Sequence, residues 1–131
     1  ATESVNARLD GLTREVSEIS TAGDRVQAET SLLEYETLID SQLAIGEIGQ
    51  DVANEQKRKA RNNLESGLLK SEFSADLEAS KHAEAYKTLR AFEKPESFTP
   101  KEWESFKANA AAEISRDQKL MCLFKRLSSS L

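Results

Sequence analysis

The 131-residue chain is acidic, with a net charge of -5, 31% charged residues and only 6% aromatics, a balance found in helical bundles and coiled coils rather than sheet sandwiches. Five glycines and two prolines leave too few turns for an all-β fold, and neither a run of about eighteen apolar residues nor a basic-then-apolar leader is present, so no membrane span or intact signal peptide is expected. The total hides an asymmetry: residues 1–55 carry twelve acids against Arg8, Arg14 and Arg25, a balance of -9, residues 56–70 carry +4, and the remainder is neutral.

From Val5 the apolar residues fall at Leu9, Leu12, Val16 and Ile19, the spacing of an amphipathic helix with a heptad seam. Val5, Leu12, Ile19, Val26 and Leu33 continue at intervals of seven, carrying the pattern through Thr21-Ala22-Gly23-Asp24. Two outcomes are open there: one long helix with a weak spot, or two helices meeting near Gly23 with Asp24 as the cap. Residues 25–70 read as helix nearly throughout, with Leu32, Ile39, Gly46, Ala53, Ala60 and Gly67 recurring at seven. The stripe shrinks toward small residues, which let another helix approach closely. Gly46 and Gly49 form the weakest interior point, each costing about 1 kcal/mol relative to alanine in a helix.

Lys57-Arg58-Lys59-Ala60-Arg61 looks like an address for nucleic acid. At 100° per residue its four charges spread around a helix instead of forming one stripe, and no aromatic residue interleaves with them to stack on a base. The expectation is a solvated basic face that pairs with the acidic N-terminal half of this chain or of a second copy, with Glu55 bridging Lys59. Glu47, Asp51 and Glu55, at intervals of four, form an acidic row on one predicted helix face.

A third helix is predicted over 74–94, starting at Ser74 with Asp76 in its first turn and stopped by Pro95. The last helix, 99–127, has the clearest start: Thr99 as N-cap, Pro100 at the first helical position, Glu102 completing a capping box, and Phe98 with Trp103 as a hydrophobic staple.

Chemistry-bearing groups are sparse. A di-metal bundle needs histidines repeated on facing helices, and His82 is alone, so it reads as a structural residue. Cys122, between apolar neighbours, reads as a core cysteine; as the single cysteine it slightly favours a reducing, cytoplasmic compartment. Gly46-Glu47-Ile48-Gly49 lacks the lysine and preceding strand of a phosphate loop. No catalytic, cofactor-binding or metal-binding residue is assigned, and no enzyme activity is expected. Phe92, Phe98, Trp103, Phe106 and Phe124 read mainly as core, with Trp103 the candidate partner anchor.

Residues 59–66, KARNNLES, resemble a short segment of the helical lid of the seventy-kilodalton heat-shock chaperones, without the β-sandwich that precedes it there. The run from Tyr35-Glu36-Thr37-Leu38-Ile39-Asp40 through EQKRKARNNLESG is similar to the helical nitrate-sensing domains of bacterial receptors, which are roughly twice as long. Neither resemblance carries a site residue over.

These readings converge on an all-α fold: a three- to four-helix antiparallel bundle forming one helical domain over 1–131, with a long heptad-patterned N-terminal segment, a hairpin or rod, over 1–70. The expected function is a non-enzymatic helical interaction module of adaptor, assembly-subunit or effector/chaperone type. Val5, Leu9, Leu12, Val16, Ile19 and Trp103 face the partner, which is another protein or a second copy, not nucleic acid. The alternative is an extracytoplasmic four-helix ligand-sensing domain of a receptor, which needs polar residues inside the bundle at one level.

Overall fold

The computed structural model describes residues 2–129. Among them are five helices and no strand: α1 Thr2–Thr21, α2 Arg25–Ala44, α3 Gln50–Glu78, α4 His82–Ala91 and α5 Pro100–Ser129. The all-α expectation holds. The chain falls into two compact units, Ala1–Leu68 and Leu69–Leu131, with the division inside α3.

Unit 1 is an antiparallel three-helix arrangement of α1, α2 and the first part of α3. One end of its core joins Leu9, Ile39 and Ala53, with Val5, Tyr35, Leu38, Leu43 and Ile48 packed around them. The other end joins Val16, Ala28, Leu32, Leu64 and Leu68, flanked by Ile19 and Ala60. Each large aliphatic side chain fully buried here contributes about 1.5 to 3 kcal/mol. Where α3 passes α1 the approach is close: a Cβ on Gly67 would lie 2.5 Å from the Ser20 Cβ and 3.1 Å from Ser20 and Thr21 backbone atoms. The shrinking stripe read from the sequence thus ends at a position where only glycine fits.

Unit 2 gathers the end of α3, α4 and α5 around Phe73, Ala85, Leu89, Phe98, Trp103, Phe106, Ala110 and Ile114. Phe98 meets Trp103 edge-on at 5.3 Å between ring centroids, and Trp103 stacks on Phe106 at 5.5 Å. These offset and edge contacts add to burial what aromatic quadrupoles allow, about 0.5 to 1.5 kcal/mol per pair.

The helix ends explain the element count. α1 ends in a left-handed residue, Gly23 at φ 85°, with Asp24 N–H donating to Ile19 O at 3.2 Å and Gly23 N–H to Ser20 O at 2.9 Å. Gly46 at φ 77° ends α2 in the same way, Glu47 N–H donating to Gln42 O and Gly46 N–H to Leu43 O. This paired pattern satisfies carbonyls that a terminating helix leaves open, and glycine adopts it without steric cost. Asp24 then caps α2 by accepting from the Gln27 N–H at 3.0 Å, which decides for two helices at Gly23.

The predicted helix start at Ser74 is corrected. Ser74 lies inside α3, its hydroxyl donating to Lys70 O at 2.7 Å, and the break falls instead at 79–81. There Ser80 takes the left-handed position at φ 59°, with Lys81 N–H donating to Asp76 O and Ser80 N–H to Leu77 O. α4 then ends at Ala91 rather than at residue 94.

The start of α5 matches its prediction. The Thr99 N–H donates to Glu102 Oε1 at 2.8 Å, and the Glu102 N–H donates to Thr99 Oγ1 at 3.1 Å. Phe98 packs on Trp103 as the staple requires. The far end, predicted before Ser128, extends to Ser129; Ser130 lies outside the described residues.

Candidate functional site

The structure places the N-terminal stripe inside unit 1. Leu9, Leu12 and Val16 are buried, and Val5 and Ile19 are half-buried at the margin of the same core. Their apolar area is covered by α2 and α3 of the same chain. Trp103 is buried as well, 7% exposed in the aromatic core of unit 2. The six residues read as a partner face are therefore divided between two cores, five in unit 1 and Trp103 in unit 2.

The basic segment pairs largely with acids of its own unit. Lys57 bridges Asp40, and Arg61 reaches Glu29 at 2.5 Å, so two bases of α3 meet two acids of α2. Arg58, not Lys59, takes Glu55, at 2.6 Å and a spacing of three. Outside the segment Arg25 forks onto Glu65 at 3.2 and 3.3 Å; that hydrogen-bonded carboxylate raises the guanidinium pKa above its ordinary value. Arg8 links Glu34 at 2.5 Å. The acidic row does not form as drawn, because Glu47 sits in the loop before α3.

His82 opens α4 and its Nε2 lies 2.7 Å from Asp117 Oδ2 on α5, while the Thr88 hydroxyl donates to Asp76 Oδ2 at 3.1 Å. These contacts tie α4 to its neighbours on both sides. Cys122 corrects another expectation: it is exposed on α5. Phe124, read as core, is exposed too.

A cleft of about 360 Å³ in unit 1 is lined by Asn6, Leu9, Gln42, Glu47, Ile48 and Gln56. Gln42 is buried and donates through Nε2 to Asn6 Oδ1 at 3.3 Å. The Gln56 Oε1 is shielded from solvent with no hydrogen-bond donor among the described residues.

The largest departure lies in the second half of α5. Leu120, Leu123, Phe124 and Leu127 are 53% to 69% exposed, and their spacing of three, one and three sets them on one face of the helix. The cause is length. α5 has 30 residues against 10 in α4, about 45 Å against 15 Å at 1.5 Å per residue, and its buried positions stop at Ile114. Arg116, Lys119, Lys125 and Arg126 lie along this half against the single acid Asp117. The signal in the sequence was that shortfall of partner helix, together with a rotation of the apolar face: past Ile114 it swings about a quarter turn from the seam that holds Trp103 and Ala110.

No protein-family model, no curated protein and no solved structure matches this chain. Among the described residues no helix is long and apolar enough to cross a membrane.

Proposed function

We propose that this chain is a non-enzymatic helical interaction module that docks through the second half of α5. The observation that carries this reading is the exposed row Leu120, Leu123, Phe124 and Leu127. A contiguous apolar row rimmed by charge favours occupation by another surface, and spacing over two turns suits a helix laid along it. The basic rim selects an acidic partner. The row is narrow, spanning about 100° of the helix, which fits a helical seam better than the broad apolar face of an interfacial membrane helix. Docking through Val5, Leu9, Leu12, Val16 and Ile19 would require α1 to leave its packing in unit 1, whereas the α5 row is exposed already.

The test uses full-length protein carrying a fluorophore on Cys122, about 150° around the helix from the row. It is titrated with amphipathic helical peptides with acidic or with basic flanks, and with anionic lipid vesicles. Saturable binding of the acidic peptide, weakened at least about tenfold (about 1.4 kcal/mol) by Leu123→Ser with Leu127→Ser, is the expected result. Equal binding of both peptides, or binding that survives the substitutions, sinks the reading. Vesicle binding in place of peptide binding would transfer the row to a membrane role.

The cleft at Asn6, Gln42 and Gln56 favours a second reading, a helical ligand-sensing domain, because it sets polar groups at one level of unit 1. A thermal-shift screen of small polar compounds, in which the hits vanish with Gln56→Leu, would support it.

A further inference from the structure

The heptad series that runs from α1 across Gly23 leaves two residues unused. Leu12 is buried and Ile19 half-buried, but the turn at Gly23 resets the register, so Val26 and Leu33 point outward, 80% and 64% exposed. Thr30 and Thr37 share their face of α2. Both hydroxyls are turned onto the helix itself, Thr30 Oγ1 donating to Val26 O at 3.0 Å and Thr37 Oγ1 to Leu33 O at 2.8 Å. Covering this face would therefore bury methyl groups and hydroxyls that already have acceptors, with little desolvation cost.

The acids of α2, Glu29, Glu34, Glu36 and Asp40 against Arg25, border that face. It thus complements the α5 row in three respects. Glu29, Glu34 and Asp40 are already bridged to Arg61, Arg8 and Lys57, so the opposite charge is carried by Glu36 and by the excess of acids over bases in residues 1–68. The anchor spacing is equal, Val26 to Leu33 and Leu120 to Leu127 both being seven residues, about 10.5 Å of helix rise. The relief also suits, since low threonine ridges leave room for the larger Leu123 and Phe124.

We infer that the occupant of the α5 row is a second copy of this chain, seated on the outer face of α2 through Val26 and Leu33. The inference rests on the α5 docking reading and adds the partner. Because the two surfaces differ, each copy offers one α5 row and one α2 face, and a contact is lost when either is removed. It involves only about two helical turns on each side, so association is weak and depends on concentration.

Light scattering and sedimentation equilibrium on the full chain, with reductant present so that Cys122 does not join copies, test it. The mass should rise above the 14.6 kDa monomer with concentration and return toward it at high salt. Leu123→Ser with Leu127→Ser, and separately Val26→Ser with Leu33→Glu, should each give a monomer with unchanged helicity by circular dichroism. An equimolar mixture of the two variants should associate and stop at two chains, because each variant retains the surface the other lacks.

Wild-type protein that stays monomeric at every concentration overturns the inference. If the acidic peptide still binds α5 in that case, the docking reading survives without it. Association abolished by the α5 substitutions but indifferent to the α2 substitutions, with no recovery on mixing, also overturns it.

Discussion

Ser80 holds its backbone at φ 59° to end α3, a conformation that costs a side-chain-bearing residue roughly 1 kcal/mol and glycine nothing. Ser80→Gly should therefore raise stability by a few tenths to about 1 kcal/mol, the gain being trimmed by glycine's larger entropy in the unfolded chain. A urea midpoint unchanged or lowered would contradict that account. Tyr35 offers a second test at this scale. Burial raises its hydroxyl pKa above the ordinary value of 10.0, and the negative charge of Asp10 adds to the effect. Folding thus tightens proton binding, so the stability linked to Tyr35 is complete below about pH 10 and is lost as pH climbs through the folded value. Tyr35→Phe should flatten the alkaline fall of stability relative to wild type, and parallel curves for the two proteins would refute the assignment.

Among the elements, α3 is the most constrained by its neighbours. Gly67 lets it pass against Ser20 and Thr21, and an added methyl group meets backbone atoms that cannot rotate away. Gly67→Ala should destabilise unit 1 by about 1 to 3 kcal/mol, the usual cost of overpacking, even though alanine favours helix. A gain in thermal midpoint would show that the helices separate easily there. α5 presents the opposite case, an element longer than anything that covers it. Its first half is held by the capping box and the aromatic staple, while its second half keeps its helical pattern without a packed partner within unit 2.

On the scale of the whole molecule, part of the charge asymmetry is met locally and an excess of acids remains. Bases of residues 56–70, which carry +4, meet acids of residues 1–55, which carry -9, at Lys57–Asp40 and Arg61–Glu29, and Arg25–Glu65 joins the same two stretches with the signs reversed. Such half-exposed bridges are worth about 0.2 to 1 kcal/mol each and are screened by salt. Lys57→Gln with Arg61→Gln should lower the stability of unit 1 by about 1 kcal/mol at low salt and by less in 1 M salt, as read by the circular dichroism unfolding curve. Trp103 fluorescence, which reports unit 2, should move less. A loss that is equal at both salt concentrations would mean that packing, not charge, holds those side chains.

Several features were settled by the order of residues alone because their physics is local. The all-α class follows from composition and periodicity, and the start of α5 follows from Thr99, Pro100 and Glu102, which need only each other. The turn at Gly23 was legible as one of two outcomes, since glycine marks where a left-handed residue is cheap. The break at 79–81 was hidden because Ser80 occupies that position without the glycine signal, and a search for turn chemistry has nothing to find. Which apolar stripe is spent and which remains open was decided only in three dimensions. The Val5–Ile19 and Leu120–Leu127 stripes look alike as patterns of spacing, but burial depends on what lies opposite. α1 meets α2 and α3 along its length, while the short α4 leaves half of α5 uncovered.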